Sequence, residues 1–225
     1  MIDLTIDLRV KNEFVGVKGV VEKFPDKLEK GVAKISTYTF DEKEDFMYNL
    51  RAARDGGGMF RMYTGKYVRL HINGQLMMYD TAMERITNRE FIEKANGRVL
   101  IAGLGVGLIL EGILEKESVT EVVVIEKYQD VVDLVEPLFK HPKLKIICAD
   151  VFEYDMPKEE KFDTIYFDIW ATLCTSNLDE MRTLHAKYRR NKASKDSFID
   201  SWVRDYLKRQ KAKEARESRS YRRWF

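Results

Sequence analysis

The chain has 225 residues, 44% of them hydrophobic, with 39 Lys and Arg against 37 Asp and Glu for a formal net charge of +2. That length and apolar share suit one domain of ordinary size with a small appendage, and no run approaches the roughly 18 apolar residues of a membrane span. The start MIDLTIDLRV alternates instead of forming a signal-peptide core, and neither Cys148 and Cys174 nor His71, His141 and His185 sit at disulfide-framework or metal-ligand spacings, so a cytoplasmic protein without a structural metal is expected.

Ile2, Leu4, Ile6, Leu8 and Val10 alternate with polar residues at the period of a half-buried strand, and Phe14 to Val21 and Val32 to Phe40 read as two more. Glu44 to Arg54 follows as a short helix, ending at Asp55 and the loop Gly56, Gly57, Gly58. Tyr67 to Ile72 and Gln75 to Tyr79 flank Asn73-Gly74, a dipeptide that suits a type I′ hairpin turn because both positions tolerate positive φ. Thr87-Asn88-Arg89-Glu90 has the form of a capping box opening a helix through Phe91, Ile92 and Ala95, which Asn96-Gly97 ends.

The next stretch organises the rest. Val99 to Ala102 is an apolar strand, glycines follow at 103, 105 and 107, and Leu108, Ile109, Leu110, Ile113 and Leu114 continue at helical spacing. A chain passing from strand to helix in so few residues needs positive φ or close backbone approach, which a Cβ would block. A second strand, Val122 to Ile125, ends in Glu126, about 20 residues past the glycines, where nucleotide-binding folds place an acid on ribose hydroxyls. Tyr128 to Phe139 reads as a helix, Lys145 to Ala149 as a third strand and Asp163 to Asp168 as a fourth. Alternating strands and helices predict an α/β, Rossmann-like, doubly wound and mainly parallel sheet, with ligands at the carboxyl ends of its strands. Those ends carry the glycines, Glu126, Asp150 and Asp168.

No strand is expected after Asp168. Asn177 with Glu180 is expected to cap a helix carrying Leu178, Met181, Leu184, His185 and Tyr188, and Phe198, Trp202, Val203, Tyr206 and Leu207 mark a second helix. From Arg182 onward 15 basic residues stand against 5 acidic ones, whereas residues 1–181 carry 24 against 32. Such a tail can dock on the chain's own acidic surface, on a second subunit in a homodimer, or on nucleic acid, and the first two are favoured because charge runs usually lie on solvated faces. The chain thus divides into a β-rich region over 1–80 with its hairpin, a nucleotide-binding core over 81–176 and a helical basic extension over 177–225.

The dinucleotide fingerprint needs Gly or Ala at position 108, where this chain has Leu108, so a nicotinamide-dependent oxidoreductase ranks low. GxGxG before a large apolar residue, with Glu126, Asp150 and Asp168, resembles class I S-adenosylmethionine-dependent methyltransferases. Within them, VRLHINGQLMMYD followed by TNREFIEKANGRVLIAGLGVG resembles the entry to the nucleotide fold of the spermidine synthase-like group, over roughly Tyr67 to Trp170. The resemblance implies S-adenosylmethionine as cofactor, held by Gly103, Leu104, Gly105, Gly107, Glu126, Lys127, Asp150, Val151 and Asp168. The glycines would pack on the methionyl part, Glu126 would hold the ribose, and Asp150 with Val151 would border the adenine. Asp168 would be the catalytic residue that helps deprotonate an attacking group. The full family sheet would add about three strands after Asp168, so a shortened sheet is expected. Three departures separate the chain from polyamine synthases: GLGVGL carries no acid, Met77 stands where a substrate-contacting glutamine is expected, and DIWAT follows the fourth strand. The reading is a methyltransferase of spermidine synthase-like architecture acting on an unidentified acceptor, a small molecule being one candidate. Its alternatives are a non-catalytic nucleoside-binding protein whose basic tail engages a partner, and an aminopropyltransferase. Residue by residue, Glu126 as a plain strand end, Asp150 as the cap of the following turn and Trp170 as a pocket wall also remain open.

Overall fold

A computed structural model describes residues 19–56 and 61–221. The strand expected over Ile2 to Val10, most of that expected over Phe14 to Val21, and Gly57 and Gly58 lie outside the described residues. At the described end of the second stretch, Val21–Lys23 form a 3-10 turn, not a strand. The turn lets fully buried Val20 and nearly buried Phe24 both reach the core, while the Val20 N–H donates to the Asp80 carboxylate at 3.0 Å.

Strands β1 (Lys27–Lys30) and β2 (Ala33–Phe40) form a hairpin, and helix α1 (Phe46–Gly56) follows. Strands β3 (Gly65–Ile72) and β4 (Gln75–Tyr79) complete a four-stranded antiparallel sheet in the order β1-β2-β3-β4. The turn between β3 and β4 is the one expected, with φ of 51° at Asn73 and 77° at Gly74, as a type I′ turn requires. Alternate residues Val68, Leu70 and Ile72 of β3 turn inward with Ala33 and Ile35 of β2, the period-2 burial of a sheet with one covered face.

Helix α2 spans Ala82–Lys94, more than a turn longer than the capping box at Thr87 suggested. Thr87 lies inside it, its hydroxyl donating back to the Met83 carbonyl at 2.9 Å and accepting the Trp202 indole N–H at 2.9 Å. Ala82 to Ile86 are competent helix formers, so helix extends back to the turn that buried Asp80 stabilises.

Strand β5 (Gly97–Ala102), helix α3 (Leu108–Ile113), strand β6 (Val119–Glu126), helix α4 (Gln129–Val135), strand β7 (Leu144–Cys148) and strand β8 (Thr164–Phe167) then alternate as expected. Helix α5 (Asn177–Tyr188) follows. Its expected capping box does not form: the Asn177 side chain donates to the Thr172 carbonyl at 2.8 Å, and Glu180 accepts from the Trp170 indole at 2.7 Å. Both side chains tie the preceding loop instead of the helix end.

The expectation of no strand after Asp168 is overturned. Phe198–Ser201 is strand β9, paired in parallel with β8 in the register Thr164↔Phe198 to Phe167↔Ser201. Val203, at a φ of 50°, reverses the chain into helix α6 (Arg204–Tyr221). The parallel sheet therefore has five strands in the order β7-β6-β5-β8-β9, with its order reversing between β5 and β8. The two sheets share one core: Ile35, Val68 and Leu70 pack in the same apolar cluster as Val99, Ile101, Leu108 and Val124. No helix among the described residues is long and apolar enough to cross a membrane.

Candidate functional site

The switch point of an open parallel sheet leaves a crevice where the loops after two neighbouring strands diverge to opposite faces. Here those loops follow β5 and β8. The Asp168 N–H donates to the Ala102 carbonyl at 2.8 Å, joining the base of the β8 loop to the end of β5, while the Gly103 N–H donates to the Ile125 carbonyl of β6 at 2.9 Å. Gly103 has a φ of 98°, and a Cβ on it would lie 2.0 Å from the Asp168 carbonyl oxygen. Only glycine fits there. Gly105, at φ 54°, lies against the hairpin, where a Cβ would meet the Met78 sulfur at 2.1 Å. That sulfur accepts the Val106 N–H at 3.3 Å, joining the antiparallel sheet to the glycine loop.

Above this loop lies a cavity of about 300 Å³ whose walls include Leu104, Gly105, Glu126, Asp150, Val151 and Asp168. Gly103 and Lys127 line it too. Gly107 does not; it turns toward Phe139, whose ring a Cβ would strike at 2.4 Å. The volume is at the lower end of the range for small-molecule sites.

Glu126 is 6% exposed. One carboxylate oxygen accepts the Leu104 N–H at 2.9 Å and the other accepts the Tyr128 N–H at 2.9 Å. The residue therefore staples the glycine loop to the end of β6, with the Gly105 and Lys127 N–H groups also facing its carboxylate. Burial pushes its carboxyl above the usual glutamate range, opposed by those backbone N–H groups. Asp150 pairs with Lys127 at 2.9 Å and accepts the Phe152 N–H at 2.9 Å, so it does cap the turn that follows β7. The Lys127 ammonium and that backbone bond hold its carboxyl below the usual aspartate range.

The same cavity is also lined by residues that the sequence did not single out. Glu84, on α2, is only 7% exposed. Burial, and then the charge of Asp168, push its carboxyl well above the ordinary glutamate range. Asp168 itself is pushed up to about 7 by burial, against a hydrogen bond from the Asn88 side chain that favours its charged form. Asn88, fully buried one turn from Glu84, accepts the Tyr166 hydroxyl at 3.0 Å and donates to the Glu84 carbonyl at 3.2 Å. Burial and their mutual repulsion both favour the neutral forms, so these two carboxyls keep their protons to higher pH than exposed acids do. Trp170 and Glu180 line the cavity too, joined by their 2.7 Å bond. The signal that could have found Glu84 and Asn88 is their four-residue spacing, which puts both on one helical face.

The chain was compared with known proteins. No protein-family model matches it, and no curated protein matches it in sequence. Among solved structures, it is similar to a spermidine synthase from Thermotoga maritima at 16% identity over 74% of this chain and 51% of that one, with a TM-score of 0.44. A spermidine synthase in complex with the transition state analogue AdoDATO matches at 18% identity over 62% of this chain and 45% of that one, with a TM-score of 0.38. An N-methyltransferase from Bradyrhizobium japonicum matches at 15% identity over 49% of this chain and 65% of that one, with a TM-score of 0.37. The chain spans about half the length of the spermidine synthases it matches.

Proposed function

We propose that this chain is an S-adenosylmethionine-dependent transferase, a methyltransferase whose acceptor meets Asp168 and Glu84. The observation that carries this reading is that one cavity is lined by the glycine loop, by Glu126 and by the buried carboxyls of Glu84 and Asp168. The residues present fit the cofactor. Gly103 and Gly105 line the cavity with bare backbone, the Glu126 carboxylate lies in its wall as an acceptor, and Leu104 and Val151 offer apolar walls.

When bound, the cofactor supplies an electrophilic carbon on a sulfonium. The protein's share is to align an acceptor, exclude water and move one proton. Asp168, with its carboxyl near 7, is divided between charged and neutral forms at neutral pH, the condition in which a general base works best. Glu84, its carboxyl raised by burial and by the charge of Asp168, offers a carboxyl oxygen to an incoming N–H or O–H. Asn88 fixes Asp168 through its amide while the Tyr166 hydroxyl holds Asn88.

The test is to incubate the protein with S-adenosylmethionine and a panel of amine and hydroxyl acceptors and to follow S-adenosylhomocysteine by mass spectrometry. The reading expects acceptor-dependent product that Asp168→Asn abolishes. Methylthioadenosine formed from decarboxylated cofactor would point to aminopropyl transfer. Binding without turnover over the whole panel would favour a non-catalytic nucleoside-binding protein.

A further inference from the structure

A second cavity, of about 420 Å³, lies outside the cofactor chamber, between α2, β9 and the root of α6. Glu90, Phe198, Asp200, Asp205, Tyr206 and Arg209 are among its walls. Each carboxylate has one oxygen engaged within the protein: Glu90 with Lys94 at 2.6 Å, Asp200 with Arg204 at 2.5 Å and Asp205 with Lys208 at 3.1 Å. The other oxygen of each is an acceptor beside aromatic side chains.

Helix α6 continues from this cavity as a basic surface. Leu207 anchors it in the core, and residues 211–218 are all exposed. Glu214 reaches back to the Thr175 hydroxyl at 3.2 Å, in the loop that follows Trp170 and Ala171 of the cofactor chamber. At 3.6 residues per turn, Arg209, Lys213 and Arg216 fall within about 60° of one another, on a face turned away from Leu207 and Glu214. They span roughly 10 Å along the axis at 1.5 Å per residue. Lys213 has only a 3.9 Å contact with Glu217, Arg209 acts on Asp205 through its charge without an ion pair, and Arg216 makes no ion pair among the described residues. The exposed stretch 211–218 beyond the cavity carries no side chain more apolar than Ala212 and Ala215. It therefore lacks the apolar belt by which a helix enters a membrane surface and the aromatic anchors of a protein interface. What remains is recognition of a polyanion.

The geometry points to a single strand of RNA. Its phosphates would follow Arg209, Lys213 and Arg216, a base would stack against Tyr206 in the cavity, and ribose 2′-hydroxyls would donate to the carboxylates of Glu90, Asp200 and Asp205. DNA offers no sugar donor to those three acids, which then only repel it. A duplex hides its bases from the cavity. The surface stands independently of the cofactor; that the strand presents the acceptor beside Trp170 of the chamber rests on the transferase reading above.

The experiment is fluorescence anisotropy of the full chain with labelled 15-nucleotide single-stranded RNA, the matching single-stranded DNA and duplex DNA, between 50 and 200 mM salt. Calorimetry with S-adenosylhomocysteine runs in parallel. Three phosphate contacts on a single strand give a log–log salt slope of about −2, hence affinity about 16-fold weaker across that range. RNA should bind several-fold more tightly than either DNA. The variant R209E/K213E/R216E should lose at least tenfold in RNA affinity and most of the salt slope, with cofactor-product binding unchanged. Equal binding of single-stranded DNA, tighter binding of duplex, or an unaltered triple variant would each overturn the assignment. So would a dimer that the triple variant dissolves in a protein with no RNA affinity, since the face would then serve a second copy. Loss of S-adenosylhomocysteine binding in the unmodified chain would strike the transferase reading alone.

Discussion

Asp168→Asn should stabilise this protein at neutral and alkaline pH while abolishing turnover. In the folded chain the Asp168 carboxyl is pushed up to about 7 by burial, against an ordinary value of 3.8. A carboxyl raised on folding binds its proton more tightly in the native state. Its contribution is therefore harmless below the unfolded value, becomes destabilising as pH climbs from about 4 to about 7, and stays constant above that. At about 1.4 kcal/mol per unit of displacement the full cost is ~4 kcal/mol. Because the residue is half-buried at the cavity wall, about 2–4 kcal/mol is the expected range. An asparagine keeps the shape and can still accept from Asn88, but carries no charge to desolvate, and it also removes the repulsion felt by Glu84. Urea unfolding of both proteins at pH 4, 6 and 8 isolates the effect, because the titrations of other groups largely cancel in the difference. The variant should gain about 2–4 kcal/mol at pH 8, less at pH 6 and almost nothing at pH 4. A constant difference at all three pH values, or a variant less stable at pH 8, would refute the raised Asp168 carboxyl.

Removing Glu126 with Glu126→Gln puts an N–H against the Leu104 or Tyr128 N–H, so S-adenosylhomocysteine affinity should fall by about 1.5–3 kcal/mol in calorimetry. Gly103→Ala would drive a methyl into the Asp168 carbonyl oxygen and should cost more than ~2 kcal/mol in urea unfolding, whereas Gly74→Ala meets no neighbour and is strained only by its φ of 77°. Asn88→Leu leaves the buried Tyr166 hydroxyl and Asp168 without their partner, for about 2–4 kcal/mol of lost stability and a higher Asp168 titration in a pH–rate profile. His185, lowered to about 4 by burial and by Arg204 and Lys208, should show an NMR titration well below pH 6 and remain neutral where it meets the Ser201 hydroxyl at 2.8 Å.

What could be read from the sequence was whatever a short local rule encodes. Asn73-Gly74 fixes its own turn, and the strand–glycine–helix passage at 99–114 follows from apolar runs and the φ values that Gly103 and Gly105 allow. Strand β9 was missed because four residues are too few to show a period. Phe198, Trp202, Val203, Tyr206 and Leu207 also fall at helical spacing although Val203 breaks the chain between strand and helix. The Thr87 capping box failed because its hydroxyl is used by Trp202, 115 residues away, a partner that local sequence cannot reveal. Glu84 was invisible for a related reason: among charged neighbours on a helix it reads as surface, and only the hairpin and β8 packed around it make it a buried acid. The glycine loop was legible because backbone constraints demand its residues, whereas the buried carboxyls of Glu84 and Asp168 are brought into one cavity from α2 and β8 by tertiary packing.

The most direct test of the account is calorimetric titration of the purified full chain with S-adenosylhomocysteine, alongside methylthioadenosine and NAD. The account predicts saturable one-to-one binding of S-adenosylhomocysteine that Glu126→Gln weakens by at least tenfold, with no comparable heat from NAD. A folded protein that binds no adenosyl ligand, or that binds one equally well without the Glu126 carboxylate, would contradict it.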